Sequence, residues 1–111
     1  MSTVEEEIKA KGLVAPRVTP QRVQDVITRE QYYRFPGTTT TVCCLSLLNG
    51  FTVIGESACA SESNFDEGLG RRVARESAVQ KIWALEGYLL RQALHDNEQL
   101  RTQFPDPGPA S

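Results

Sequence analysis

The sequence of 111 residues predicts an α+β domain: a helix, a β-hairpin and a long C-terminal helix packed on the hairpin, with flexible termini. Three observations predict it. Asn49-Gly50, the strongest two-residue hairpin signal, stands between two runs rich in β-branched and apolar residues. From Leu69 to Leu94, apolar residues recur at helical spacing. With 40% apolar and 23% charged residues, the composition is that of a soluble globular domain, and the length suits one domain.

Residues 1–17 are expected to form a flexible segment, with a short helix over Val4 to Lys11 that has little to bury. The domain then spans 18–100. Thr19 suits an N-cap, Pro20 the first helical position, and Val18 can staple onto Val23. Val23, Val26 and Ile27 continue this helix as one apolar stripe, and Tyr32, Tyr33 and Phe35 add an aromatic edge. Pro36-Gly37 ends it.

The hairpin strands are placed at Thr38 to Leu48 and Phe51 to Glu56. A two-residue turn would pair Leu48 with Phe51, Ser46 with Val53 and Cys44 with Gly55 on one face. Leu47, Leu45, Cys43, Thr52, Ile54 and Glu56 would form the other. Two strands alone cannot keep both half-apolar faces wet, so a further strand or another subunit is expected at a face or open edge.

Asn64 to Glu67 resembles a capping box, with Asn64 as the N-cap of the last helix. Leu69, Val73, Ala78, Ile82, Leu85, Leu89 and Ala93 form its stripe, widened by Val79, Trp83, Leu90 and Leu94. A stripe that broad points to burial on two sides. Residues 101–111 read as a disordered Pro-rich tail.

The net charge of -2 argues against a basic nucleic-acid coat or a polybasic membrane binder. No apolar run approaches the roughly 20 residues of a membrane span, and the Glu-rich start lacks the apolar core of a secretory signal. Three cysteines without a C-x-x-C pair argue against a disulfide framework and a zinc knuckle. Cys43 and Cys44 point to opposite faces of a strand and cannot share a metal; each reads as a small buried hydrophobe. Cys59 has no cation beside it, and the lone His95 reads as a helix-end complement to the dipole. The expectation is a reduced, cytoplasmic chain with no metal, no cofactor and no enzymatic activity.

Candidate ligand-binding residues are Glu56, Ser57, Asn64, Arg71, Arg72 and Arg75. Glu56 is an acid that no helix cap explains. The loop from Glu56 to Asp66 is long for a strand-to-helix connection and leads into a helix N-terminus with free donors. Arg71, Arg72 and Arg75, with Lys81, give that helix a basic side. It reads either as a solvated face paired with Glu67 and Glu76, or as an anion site that Gly68 and Gly70 let a ligand approach.

Two resemblances add to this reading. Thr39-Thr40-Thr41-Val42-Cys43-Cys44, Leu47-Leu48-Asn49-Gly50-Phe51, Gly55-Glu56-Ser57-Ala58-Cys59, Asn64-Phe65-Asp66 and Ile82-Trp83-Ala84-Leu85-Glu86-Gly87-Tyr88-Leu89-Leu90 resemble a small phage-protein family over about Val23 to Leu94. The family is named after gene product forty-nine of a coliphage and gene sixty-six of a Shigella phage. The resemblance implies a phage or prophage gene expressed in the host cytoplasm, with no enzymatic activity to carry over. In that setting a stoichiometric binder is expected, inhibiting a host protein or sequestering a small anionic defence signal. Second, Gly68-Leu69-Gly70-Arg71-Arg72-Val73-Ala74-Arg75 after a hairpin resembles the end of a double-stranded-RNA-binding domain. That resemblance implies phosphate contacts by Arg71, Arg72, Arg75 and Lys81, aided by Arg34. The departures are a second strand with no third, a long loop, arginines in place of lysines and a net acidic chain. A homodimer or higher oligomer is expected, because Leu45, Leu47 and Ile54 together would form an exposed patch.

Overall fold

The computed structural model describes residues 16–61 and 65–103. A short helix α1 (Pro20–Asp25) leads into strands β1 (Ile27–Arg34), β2 (Thr40–Leu47) and β3 (Thr52–Ala58), and helix α2 (Glu67–Gln103) closes the chain. The strands form one antiparallel sheet in the order β1-β2-β3, and α2 lies across one face of it. The α+β class with a long helix on a hairpin holds. The expected helix at Val4 to Lys11 and residues 104–111 of the expected tail lie outside the described residues. Helix α2 itself runs three residues past the expected boundary at 100.

Helix α1 begins as the sequence predicts. Thr19 is the N-cap, its hydroxyl accepts from the Arg22 amide at 3.1 Å, and Pro20 opens the helix. It ends after six residues. Ile27 to Arg34, expected to continue the helix, form a strand instead, and the hairpin gains a third member. Pro36-Gly37 is therefore a turn between strands: the Thr38 amide donates to the Phe35 carbonyl at 3.1 Å, and Gly37 takes φ of 73°. Pro then Gly with positive φ is the pattern of a type II turn.

The second turn corrects the predicted register. A two-residue type I′ turn needs positive φ at both central residues. Only Gly50 has it, at 87°. The Gly50 amide donates to the Leu47 carbonyl at 2.9 Å and the Leu47 amide to the Phe51 carbonyl at 2.8 Å, so the loop has three residues, Leu48 to Gly50. Pairing shifts by one: Leu45 meets Val53, Cys44 meets Ile54 and Cys43 meets Gly55. A one-residue shift exchanges faces. Leu45, Leu47, Cys43, Val53 and Thr41 are buried towards α2, whereas Ile54, Cys44 and Glu56 lie on the opposite face. The patch of Leu45, Leu47 and Ile54 expected to drive oligomerisation does not exist, because its members are on different faces.

The core joins Val23 and Val26 of the α1 region to Cys43, Leu45, Leu47 and Val53 of the sheet and to Ala74, Ala78 and Ile82 of α2. At the crossing, a Cβ on Gly55 would run into the Ala74 carbonyl and the Ala78 amide of the helix backbone. Two alanines above a glycine let the helix axis come down onto the strand. At the start of α2, Asp66, not Asn64, is the N-cap: its carboxylate accepts from the Leu69 amide at 3.0 Å. Asn64 lies outside the described residues.

Gly55→Ala forces helix backbone away from sheet backbone, with no flexible side chain to absorb the methyl. Destabilisation of about 1–3 kcal/mol or more is expected, read as a lower urea midpoint.

Candidate binding surfaces

The residues expected to bind a ligand do not converge on one pocket. Glu56 is exposed on the sheet face away from α2, opposite Val42. Ser57 points the other way, and its hydroxyl donates to the Gly70 carbonyl at 2.7 Å. Gly70, read as a point of ligand approach, is taken up by the chain's own packing: a Cβ there would stand 3.3 Å from the Thr41 hydroxyl and 3.5 Å from the Phe65 ring. Ser57, Gly70, Thr39, Cys59 and Asp66 do line a small cleft of about 130 Å³ at the helix N-terminus. The Asp66 carboxylate there already occupies the first-turn donor at Leu69.

Of the arginines in the predicted basic set, Arg34, Arg71 and Arg75 have partners within the protein. Along β1, Glu30, Tyr32 and Arg34 pair with the helix-side residues Leu45, Cys43 and Thr41 and so flank α2. The Arg75 guanidinium donates to Glu30 at 2.9 Å and to the Gln24 side chain at 2.8 Å. The Tyr32 hydroxyl donates to the same Glu30 oxygen at 2.8 Å. Arg71 pairs with Glu67 at 3.2 Å and lies 5.7 Å from the Tyr32 ring centroid. Arg34 stacks 3.9 Å over Phe65 and donates to the Thr38 carbonyl at 2.9 Å. Lys81 donates to the Ile54 carbonyl at the outer strand. Arg72 alone of the predicted basic set is exposed without a partner among the described residues. The structure thus joins Arg71 and Arg75 around Tyr32 and Glu30, and leaves Glu56, Ser57 and Arg72 on other surfaces.

This polar flank sets the local electrostatics. The Arg75 hydrogen bond, then the Tyr32 hydroxyl, hold the Glu30 carboxyl below its usual range. Glu30 in turn raises Arg75. Burial, then the carboxylate beside it, pushes the Tyr32 phenol far up, so it stays a neutral donor. Burial also raises the Cys43 thiol, which is inert as a nucleophile. Cys59 is half-buried, with its thiol on the Ser61 carbonyl at 3.1 Å, and His95 is exposed. Among the described residues no group of histidine, cysteine and carboxylate side chains could hold a metal, and no helix is long and apolar enough to cross a membrane.

Sequence reasoning expected an uncovered hairpin face but gave it the wrong residues. Arg29, Gln31 and Tyr33 of β1 lie beside Ser46, Cys44 and Val42 of β2, which in turn face Thr52, Ile54 and Glu56 of β3. No described helix covers this side. Ile54 is 51% exposed and Tyr33 54%, and Phe35 packs edge-on against Tyr33 with centroids 5.0 Å apart. Only the correct register reveals this face. The period-2 spacing of Tyr33 with Phe35 is the signal in the sequence for the part that β1 contributes.

Because Glu30 has a lowered pKa in the folded state, its contribution to stability is complete above its unfolded value and is lost as pH falls through the lower folded value. Glu30→Gln should cost about 1 kcal/mol at neutral pH. It should also flatten the acid limb of the Tm-against-pH curve, measured by thermal denaturation from neutral pH down.

No curated protein and no solved structure matches this chain. A family model does: it covers residues 18–94, from the residue before the Thr19 cap through the hairpin and most of α2. The chain belongs to the Phage protein (N4 Gp49/phage Sf6 gene 66) family.

Proposed function

We propose that this phage protein is a non-enzymatic accessory protein that acts by stoichiometric binding in the host cytoplasm, inhibiting a host protein. The observation that carries the reading is the open sheet face, where Tyr33, Phe35 and Ile54 are each about half exposed. Aromatic and aliphatic side chains on a rigid sheet, rimmed by Arg29 and Glu56, have the makeup of a protein interface, in which such anchors dominate the binding energy. A small anionic signal would need free, converging cations, whereas Arg71 and Arg75 are engaged by Glu67 and Glu30. That favours a protein partner over a sequestered signal. Glu56 keeps its expected role as a binding residue, here as a polar member of the rim.

A second reading is nucleic-acid binding. The third strand removes one departure from the double-stranded-RNA-binding order, and Arg72 is free on the exposed side of α2. Against it stand the partners already held by Arg71, Arg75 and Lys81.

Two measurements separate these readings. Immobilised wild-type protein in soluble host extract should retain one host protein at near-equal stoichiometry. Tyr33→Lys with Ile54→Lys should lose it while keeping Tm within the change expected of about 0.5 kcal/mol for surface substitutions. Equal retention by the variant, or turnover of a substrate by the purified protein, overturns the proposal. Nucleic-acid binding instead predicts a duplex affinity whose log–log salt slope grows by about 0.9 per neutralised phosphate, and Arg72→Ala should reduce that slope.

A further inference from the structure

From the overhang of α2 we infer that a second copy of this chain docks along it, antiparallel, to form a two-fold dimer. The strands have seven or eight residues and span about 25 Å, whereas the 37 residues of α2 extend about 55 Å. The helix therefore leaves the sheet at the hairpin tip with its last third still to run. From Arg91 to Thr102, every residue except Leu94 is exposed.

The apolar stripe does not stop where the sheet stops. Ala74, Ala78 and Ile82 are fully buried on the sheet, and the same line continues at steps of three or four residues through Leu85, Leu89 and Ala93, then past the polar Asp96 and Asn97 to Leu100, seven residues beyond Ala93. Leu89 is 55% and Leu100 53% exposed. Where the stripe leaves the sheet, Leu85 and Leu89 form a groove with Val26, Leu47, Leu48 and Phe51, about 290 Å³ in volume. One helix face thus carries a concave part at Leu85 and a convex part at Leu100. An isologous interface needs such a self-complementary patch. A two-fold axis close to Gln92 and Ala93 sets Leu100 of each copy beside Leu85 of the other, inside the groove. Gln92 and Asp96, hydrogen-bonded to each other at 2.9 Å, then lie near the axis, where a polar contact fixes register.

The area suits a second copy. Leu48, Phe51, Tyr88, Leu89 and Leu100 are each more than half exposed. At roughly 100 Å² apiece, about half of a large side chain, they offer ~500 Å² of apolar surface, most of the ~800 Å² that a standard interface takes from each partner. This surface is separate from the open sheet face of the proposed host contact, so the two inferences stand or fall independently.

Sedimentation equilibrium of the full chain at micromolar concentration should give twice the mass of 12.3 kDa. Leu89→Glu with Leu100→Glu, both exposed helix positions, should raise the dimer dissociation constant at least ~30-fold, the loss of one hot-spot residue. Leu89→Ala with Leu100→Ala, which keeps helix propensity, should weaken it in the same direction with unchanged circular dichroism. Ile54→Lys on the sheet face should leave the dimer intact. A wild-type monomer at every concentration overturns the inference, and the groove then belongs to another segment of the chain or another partner. A dimer that survives both double changes, or that Ile54→Lys disrupts, places the interface elsewhere and overturns it equally.

Discussion

The structure depends on one close approach, helix backbone against strand backbone at Gly55. With no Cβ on Gly55 and only methyls on Ala74 and Ala78, α2 settles onto β3 until its backbone meets the strand. The rest of the packing follows from that low seat. Ile82 reaches full burial, and Leu45 and Val53, paired across β2 and β3, fill the space beside the crossing. Further towards the N-terminus, Gly70 repeats the device more gently against Thr41 and Ser57. A thin domain has few large side chains with which to build a core. Bringing backbones together is the alternative means of excluding water, and it fixes the path of the helix over its first half.

The same low seat explains the polar flank. The helix covers β2 and β3 closely and leaves β1 at its margin, where a strand residue on the helix side meets the edge of α2 rather than its underside. Glu30, Tyr32 and Arg34 occupy those positions, and Arg75 and Arg71 lean over to them. A carboxylate that accepts from both a guanidinium and a phenol is held in its charged form at the solvent-facing margin of the core and ties α2 to β1. The basic side of the helix is thereby converted from a free cationic surface into a structural seam between α2 and β1.

What was legible in the sequence, and what was not, follows from the same geometry. Thr19 with Pro20, the two strands around Asn49-Gly50 and the stripe of α2 are local signals that packing did not override. Strand β1 was illegible because Ile-Thr-Arg-Glu-Gln-Tyr-Tyr-Arg lacks apolar alternation: its helix-side residues serve the polar seam and not the core. Pro36-Gly37 then read as a helix stop, although the same pair makes a strand-to-strand turn. The register failed at one backbone angle, since Asn-Gly is compatible with a two-residue or a three-residue loop and only the sign of φ before Gly50 decides. Of the candidate site, the sequence pointed to the arginines but not to their partners, because Glu30 and Gln24 are 45 and 51 positions away from Arg75.

A one-residue register shift therefore does more than relabel strands. In the predicted pairing Leu45, Leu47 and Ile54 share one face, and a single oligomeric surface would absorb all three. In the structure Leu45 and Leu47 go inward, Ile54 goes outward with Tyr33, and the uncovered apolar surface divides between the open sheet and the helix overhang. These two surfaces differ in kind. The sheet face is flat and rigid, framed by hydrogen-bonded strands, with side chains that alternate with those of the core. The overhang is a single helix whose apolar stripe has no underlying layer. A lone helix is held by propensity and by whatever packs against its face, and propensity alone is weak. The overhang thus needs a layer against its stripe, whereas the sheet face is already held by β2 and β3 and can stay open to a partner without cost to the fold.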